Sequence, residues 1–478
     1  MIEILTINKR SIKLHTQLFI NGEWTDPKQG KKFDIEDPST GKNLVARKAF
    51  KTWSKTDARE RAKILFRLAD LMEQHGDDLI AIECADTGKT FKSCTAIDLP
   101  ASVATIRYYA GWADKIHGTT VNTPGMMAYT RREPIGVCGQ ITPWNFPLLM
   151  FCWKIGPALA TGNVVVIKTA ESTPLSALKM AELIKEAGFP PGVFNLVSGF
   201  GKTAGAAIAK HMDIDKVAFT GSTVTGREIL KAAATSNLKK VTLELGGKSP
   251  NIIFDDADVE QAVKWSSFGI NLHMGQVCHA GSRIYVQEGI YDKFLKAFTA
   301  EMKSRTVGDQ WSGSDQGPQN SKMQHDKILS LIASGREEGA TVHLGGNKIE
   351  KDGGYYIEPT IFTDVRPEFK IMREEIFGPV VSIAKFKTEE EVLEWANDTD
   401  YGLAGGCFTK DYARAVRVSE ALRAGTVWVN MFNFLTGILP FGGYKQSGIG
   451  RECGEAVLQN YLETKSVYWN MGIDCPPL

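Results

Sequence analysis

Between residues 159 and 246 the chain alternates β-branched runs with amphipathic segments, and this alternation constrains the fold more than any other feature. NVVVIK (163–168) reads as a buried strand. The segment TPLSALKMAELIKEAG follows, with Thr173 as N-cap, Pro174 at the first helical position, apolar residues at helical spacing and Gly188 as the stop. VFNLVSG (193–199), KVAFTG (216–221) and KVTLEL (240–245) read as further strands, separated by the helical segments TAGAAIAKH and GREILKAAAT. That order predicts a parallel sheet with helical crossovers. After a break at GGKSP the pattern resumes with a helix DVEQAVKWSSFGINLHMG, a strand SRIYVQ and a helix YDKFLKAFTAEMKS, which predicts a second α/β unit.

A chain of 478 residues is long enough for two or three domains. Lys+Arg 56 against Asp+Glu 55 leaves a net charge of +1, which argues against a partner whose phosphates must be neutralised. The cysteines Cys84, Cys94, Cys138, Cys152, Cys278, Cys407, Cys453 and Cys475 are too sparse for a disulfide scaffold and read as reduced thiols. MIEILTINKRSIKLHT has no apolar core of a secretory signal, so the expectation is a cytoplasmic protein. The uncharged stretch 134–153 holds three prolines with Gln140 and Asn145. It is expected to be a buried strand and turn rather than a membrane span. GTTVNTPGMMAYTRRE (118–133) and LETKSVYW (462–469) alternate polar and apolar residues. Both one small sheet that pairs subunits and two separate exposed strands fit them.

In an open parallel sheet, ligands bind at the carboxyl ends of the strands. Lys168, Gly199, Gly201, Gly221, Ser222 and Glu244 all fall there. GSTVTG (221–226), between a strand and a helix, offers backbone N–H groups to an anion, although glycine after a strand is more often only a turn. Lys168 with Glu171 places a cation and an acceptor where ribose hydroxyls could bind. A carboxylate there repels a 2′-phosphate, which favours NAD over NADP. Cys278 stands in GQVCHAGSR among small neighbours. A lone cysteine is by type more often a small hydrophobe than a nucleophile, but a polar loop between helix and strand is a poor place to hide one. A zinc site from His273, Cys278 and His279 lacks any CxxC or HxxxH spacing. Glu244, at a strand end, suits a general base. In PWNFP (143–147) the flanking prolines fix the backbone around Asn145, whose amide could donate to an oxyanion. A proline-rich turn with a stacked Trp144 is the plainer alternative.

With those residues in hand, ITPWNFP, KTAESTP, FTGST, LELGGKSP, GQVCHAGSR, EEIFGPV and PFGGYKQSG, in that order, resemble the motifs of the NAD(P)-dependent aldehyde dehydrogenase superfamily over nearly the whole chain. The resemblance implies an α/β fold with a Rossmann-type cofactor domain (1–117 and 134–246) and an α/β catalytic domain (247–446). It also implies a small oligomerisation sheet from 118–133 and 462–478, and a homodimer or homotetramer. By the same resemblance Cys278 is the nucleophile and Glu244 the base, and Asn145 with the Cys278 N–H forms the oxyanion hole. Trp144, Lys168, Glu171, Gly201, Gly221, Ser222, Glu375 and Phe377 would hold NAD; Phe146, Met150, Trp153 and Phe441 would line the aldehyde tunnel. The implied reaction is oxidation of an aldehyde to its acid through a cysteine thiohemiacetal and thioester, with no nucleic acid, membrane or metal involved. Two rivals remain: a CoA-acylating relative, which should lack Glu244, and a non-catalytic structural role. The chain departs from the family between Lys42 and Ala46, where a strand and the opening turns of a helix are missing. Lys202 stands for a proline and His273 for an asparagine.

Overall fold

The computed structural model describes residues 2–26 and 45–477. The departure between Lys42 and Ala46 lies outside them. The four strands of the expected alternation and the strand expected within 134–153 form the centre of the first sheet: β1 (Val137–Ile141), β2 (Val164–Lys168), β3 (Phe194–Val197), β4 (Lys216–Thr220) and β5 (Lys240–Glu244). All pair in parallel, in the order β5-β4-β1-β2-β3. Leu18–Ile20 and Glu23–Thr25 extend the β3 edge, and Gly448–Ile449 joins β5 antiparallel, giving eight strands. β1, β2 and β4 are buried throughout, as the continuous apolar runs require of a sheet covered on both faces.

The second sheet contains β6 (Pro250–Ile253), β7 (Arg283–Gln287), β8 (Thr341–Leu344), β9 (Thr360–Thr363), β10 (Val380–Phe386), β11 (Ala404–Phe408) and β12 (Thr426–Val429). Its order is β8-β9-β10-β7-β6-β11-β12, and only the β8–β9 pair is antiparallel. Thr120–Thr123, Met126–Pro134 and Leu462–Asn470 form a separate three-stranded sheet, so the two outlying segments do meet.

Three local expectations need correction. The uncharged stretch after β1 is not strand and turn throughout: α1 (Pro147–Ala160) is a helix with all of its residues buried. Pro147 supplies a first-turn φ, and LLMFCW has no β-branched residue to oppose helix. Thr173 makes no cap bond to α2 (Leu175–Ala187); the Leu175 N–H is taken instead by the Asp86 carboxylate at 2.8 Å, and the Thr173 hydroxyl is unpartnered. The helix expected to run into the cysteine stops early. After α3 (Val259–Asn271), His273 (φ 48°), Met274 (φ 55°) and Gly275 (φ 72°) are all left-handed.

Candidate active site

The strand order reverses between β1 and β4, and both strands end in unusual loops. After β1 the chain continues through Thr142 to Phe146 into α1, and after β4 it turns through Gly221 and Ser222 into a helix at Thr223–Ala234. Ligands bind in crevices at such switch points. A cavity of about 630 Å³ opens there. Its lining includes Trp144, Asn145 and Phe146 from the first loop, Gly221 and Ser222 from the second, Glu244 from β5, and Cys278.

The cysteine reaches this place from the other sheet. β5 passes through Gly246 and Gly247 into β6, and the loop carrying Cys278 precedes β7, the parallel neighbour of β6. Gly247 permits the close approach, since a Cβ there would lie 2.5 Å from the Cys278 carbonyl oxygen. The left-handed Gly275 is equally constrained: its Cβ would lie 2.0 Å from the Gly378 carbonyl oxygen. The loops bearing Cys278 and Phe377 are therefore packed backbone to backbone.

Cys278 is partly exposed, and His279 Nδ1 lies 3.5 Å from its Sγ. Burial, then the Glu244 and Glu375 carboxylates, push the thiol well above its ordinary value, while the backbone N–H groups of Cys278 and His279 pull the other way. Asn145 donates through Nδ2 to the Gln276 carbonyl at 2.9 Å. The amide is thus held against the cysteine loop with its second N–H left over.

Burial and the neighbouring Glu452 push Glu244 far above the usual carboxylate range, against the pull of Lys154 and Arg451. Its Oε1 has no hydrogen-bond partner. Behind it, Lys154 Nζ donates to Thr220 Oγ1 at 2.7 Å and to Glu452 Oε1 at 2.5 Å. Lys154 and Glu452 were not singled out from the sequence, although a lone lysine within the apolar run MFCWKIGPALA was the available signal.

Trp144 and Phe377 face each other edge on, with ring centroids 5.4 Å apart, and Phe377 is left-handed at φ 62°. A bulky residue in that region is held there by its surroundings and marks a constrained position. Glu375 accepts from the Gly247 N–H at 3.0 Å, and burial raises its carboxyl to about 7. Phe146, Met150, Trp153 and Phe441 also line the cavity, with Trp153 and Phe441 in edge contact at 5.5 Å.

Lys168, Glu171 and Gly201 are not part of this lining but stand at the ends of β2 and β3. Lys168 Nζ and Glu171 Oε2 are paired at 2.8 Å. Burial would raise the Glu171 carboxyl, but Lys168 and backbone N–H groups, that of Gly201 among them, outweigh it and hold the group low. This donor set suits a dinucleotide: a helix N-terminus for a pyrophosphate, and a cation with an anionic acceptor for ribose hydroxyls. Among the described residues, no group of His, Cys, Asp and Glu side chains is arranged to hold a metal ion. No helix among them is long and apolar enough to cross a membrane.

The family model described as the aldehyde dehydrogenase family matches residues 29–467. An aldehyde dehydrogenase of Alternaria alternata is 55% identical over 476 residues, covering 96% of each chain. Aldehyde dehydrogenase 1A1 of Mesocricetus auratus is 52% identical over 474 residues, covering 95% of this chain and 94% of the relative. The NAD+ complex of an aldehyde dehydrogenase from Bacillus cereus superimposes with a TM-score of 0.92 at 47% identity, covering 95% of this chain and 96% of that one.

Proposed function

The chain belongs to the aldehyde dehydrogenase family, and from that premise we propose how its residues divide the work of oxidation. The protein is an NAD-dependent oxidoreductase that converts an aldehyde to its carboxylic acid. The observation that carries the assignment of roles is that Cys278, Glu244 and Asn145, from three separate loops and strands, border one cavity.

In this reading Cys278 Sγ adds to the aldehyde carbon, forming a C–S bond and a thiohemiacetal oxyanion. The free N–H of Asn145 and the Cys278 backbone N–H receive that oxyanion; such preorganised donors are strongest where water is excluded. NAD, when bound, supplies the hydride acceptor. The thioester left on Cys278 is then hydrolysed: Glu244 takes a proton from water, oxygen adds to the acyl carbon, and the C–S bond breaks as the thiolate departs.

Lys168 and Glu171 would hold a ribose, with the Gly201 backbone beside them. Gly221 and Ser222 would present the helix N-terminus to the pyrophosphate. Glu375 keeps one oxygen free for ribose hydroxyls, and Trp144 and Phe377 would enclose the nicotinamide end. Phe146, Met150, Trp153 and Phe441 would hold the apolar body of the aldehyde. We further assign residues 1–117 and 134–246 to cofactor binding, 247–446 to catalysis, and 118–133 with 462–478 to assembly of a cytoplasmic homo-oligomer.

NADH formation across short, long and aromatic aldehydes tests the assignment. Cys278→Ala should abolish NADH formation while NAD still binds with near wild-type affinity, since the nucleotide rests mainly on the other sheet. Near wild-type turnover in this variant removes Cys278 from the chemistry.

A further inference from the structure

His279 follows the nucleophile directly, and its imidazole is buried and caged. It meets Phe441 edge on at 5.2 Å and Trp428 at 5.8 Å. This packing fixes Nδ1 at 3.5 Å from Cys278 Sγ, and among the described residues Nδ1 is the one side-chain hydrogen-bond partner of that sulfur. On the ring's account there is a third group, the Asn433 side chain, which lies against the imidazole. Asn433 Nδ2 is engaged with the Gly269 carbonyl at 3.4 Å, whereas Asn433 Oδ1 is buried and makes no hydrogen bond. An unpaired buried acceptor beside an imidazole favours the tautomer whose remaining N–H faces it. Cys278 Sγ, His279 Nδ1 and the Asn433 side chain beyond the ring thus stand in the order nucleophile, base and orienting group, the order that activates weak nucleophiles.

Building on the dehydrogenase reading above, we propose that His279 is a catalytic residue. Neutral, with Nε2–H directed to Asn433, it accepts the Cys278 Sγ–H at Nδ1 and removes that proton as the sulfur attacks. The S–H bond breaks with its electron pair staying on sulfur, and the C–S bond forms. The carbonyl π pair becomes the oxyanion, and the proton moves to Nδ1 and on to solvent through the cavity mouth. Burial lowers the imidazole to about 4, so it is neutral and able to accept at neutral pH, and it does not retain the proton. Among the described residues no hydrogen bond joins Glu244 to Cys278 Sγ, whereas His279 Nδ1 lies 3.5 Å from it. The division leaves Glu244 for water.

The test alkylates Cys278 with iodoacetamide in the full-length protein without NAD or aldehyde, following the Cys278 peptide by mass spectrometry as pH is varied. The titratable and charged groups around the sulfur are His279, Glu244 and Glu375, with Lys327 on the cavity wall and Lys154 and Glu452 behind Glu244. Base-assisted attack gives a rate independent of pH between the titrations of the imidazole and the thiol. In His279→Ala that plateau should vanish, leaving a rate that falls about tenfold per pH unit below the thiol's pKa and lies about 10²-fold below wild type at neutral pH. His279→Asn keeps a polar group near Sγ but takes no proton, so it should behave like the alanine variant, and added imidazole should recover the rate in His279→Ala. Glu244→Gln should keep the plateau. The first burst of NADH should slow in His279→Ala with the aldehyde KM little changed. A plateau retained by His279→Ala or restored by His279→Asn, or one lost in Glu244→Gln, overturns the proposal. Because the alkylation uses neither cofactor nor aldehyde, its outcome stands even where the protein oxidises none of the aldehydes tried.

Discussion

Glu244 stands beside a second carboxylate, Glu452, with Lys154 gripping the latter. A base must be ionised to take a proton from water, and a raised pKa moves the ionised form to higher pH. Turnover limited by thioester hydrolysis should therefore climb with pH well above the ordinary carboxylate range. Glu452→Gln removes a negative neighbour and should shift that limb to lower pH, which a pH–rate profile of kcat measures. Glu244→Gln should still release about one NADH per active site and then stall with an acyl group on Cys278, as rapid-mixing absorbance and mass spectrometry of the quenched protein would show. An unchanged steady rate in that variant removes Glu244 from the mechanism.

The loops that bring these groups together are set by close glycine contacts as well as by the hydrogen bonds of Asn145 and Glu375. In Gly247→Ala the new methyl would stand 2.5 Å from the Cys278 carbonyl oxygen and 3.1 Å from Leu403 Cβ. Relief of such overpacking costs about 1–3 kcal/mol, and the displaced sulfur should lower kcat at least about tenfold; a melting curve beside single-turnover kinetics separates the two effects. The sequence made the strands of the first sheet legible because β-branched runs such as VVVIK and VAFTG are buried on both faces and carry no competing period. It also placed Cys278 and Asn145 in loops and Glu244 at a strand end, and all three are found around one cavity. Less was legible where tertiary contacts override local pattern. Asp86, far away in sequence, takes the N–H that Thr173 was expected to cap. Close packing against Gly378 accompanies the left-handed turn at His273 to Gly275 that ends a helix whose periodicity would otherwise continue. Lys154 and Glu452 sit 298 positions apart and are joined only by the fold.

At the scale of the molecule, the three-stranded sheet leaves Val121, Met127, Tyr468 and Trp469 exposed. Apolar side chains on a small sheet with free edges suit burial against another copy. Sedimentation should find a multimer, and replacing Tyr468 and Trp469 together with lysine should shift it to smaller species without unfolding each protomer. A wild-type chain that sediments as a monomer at all concentrations refutes the assembly role of this sheet. The strand Gly448–Ile449 has another bearing. It pairs with β5 opposite Leu243 and Glu244, while the Leu245 N–H donates to the Ser447 carbonyl at 2.9 Å. Glu452 arrives with the same segment, to be met by Lys154 from α1. During synthesis the parallel core of the first sheet emerges from the ribosome early and can begin to fold, since domains form as units from the N-terminal side. The nascent chain nevertheless lacks the strand that flanks its base and the carboxylate that tunes it until nearly its last residues are translated. A ribosome that stalls between Cys278 and Gly448 thus holds a chain with its nucleophile already made, and with the machinery that would turn over a trapped aldehyde still unfinished.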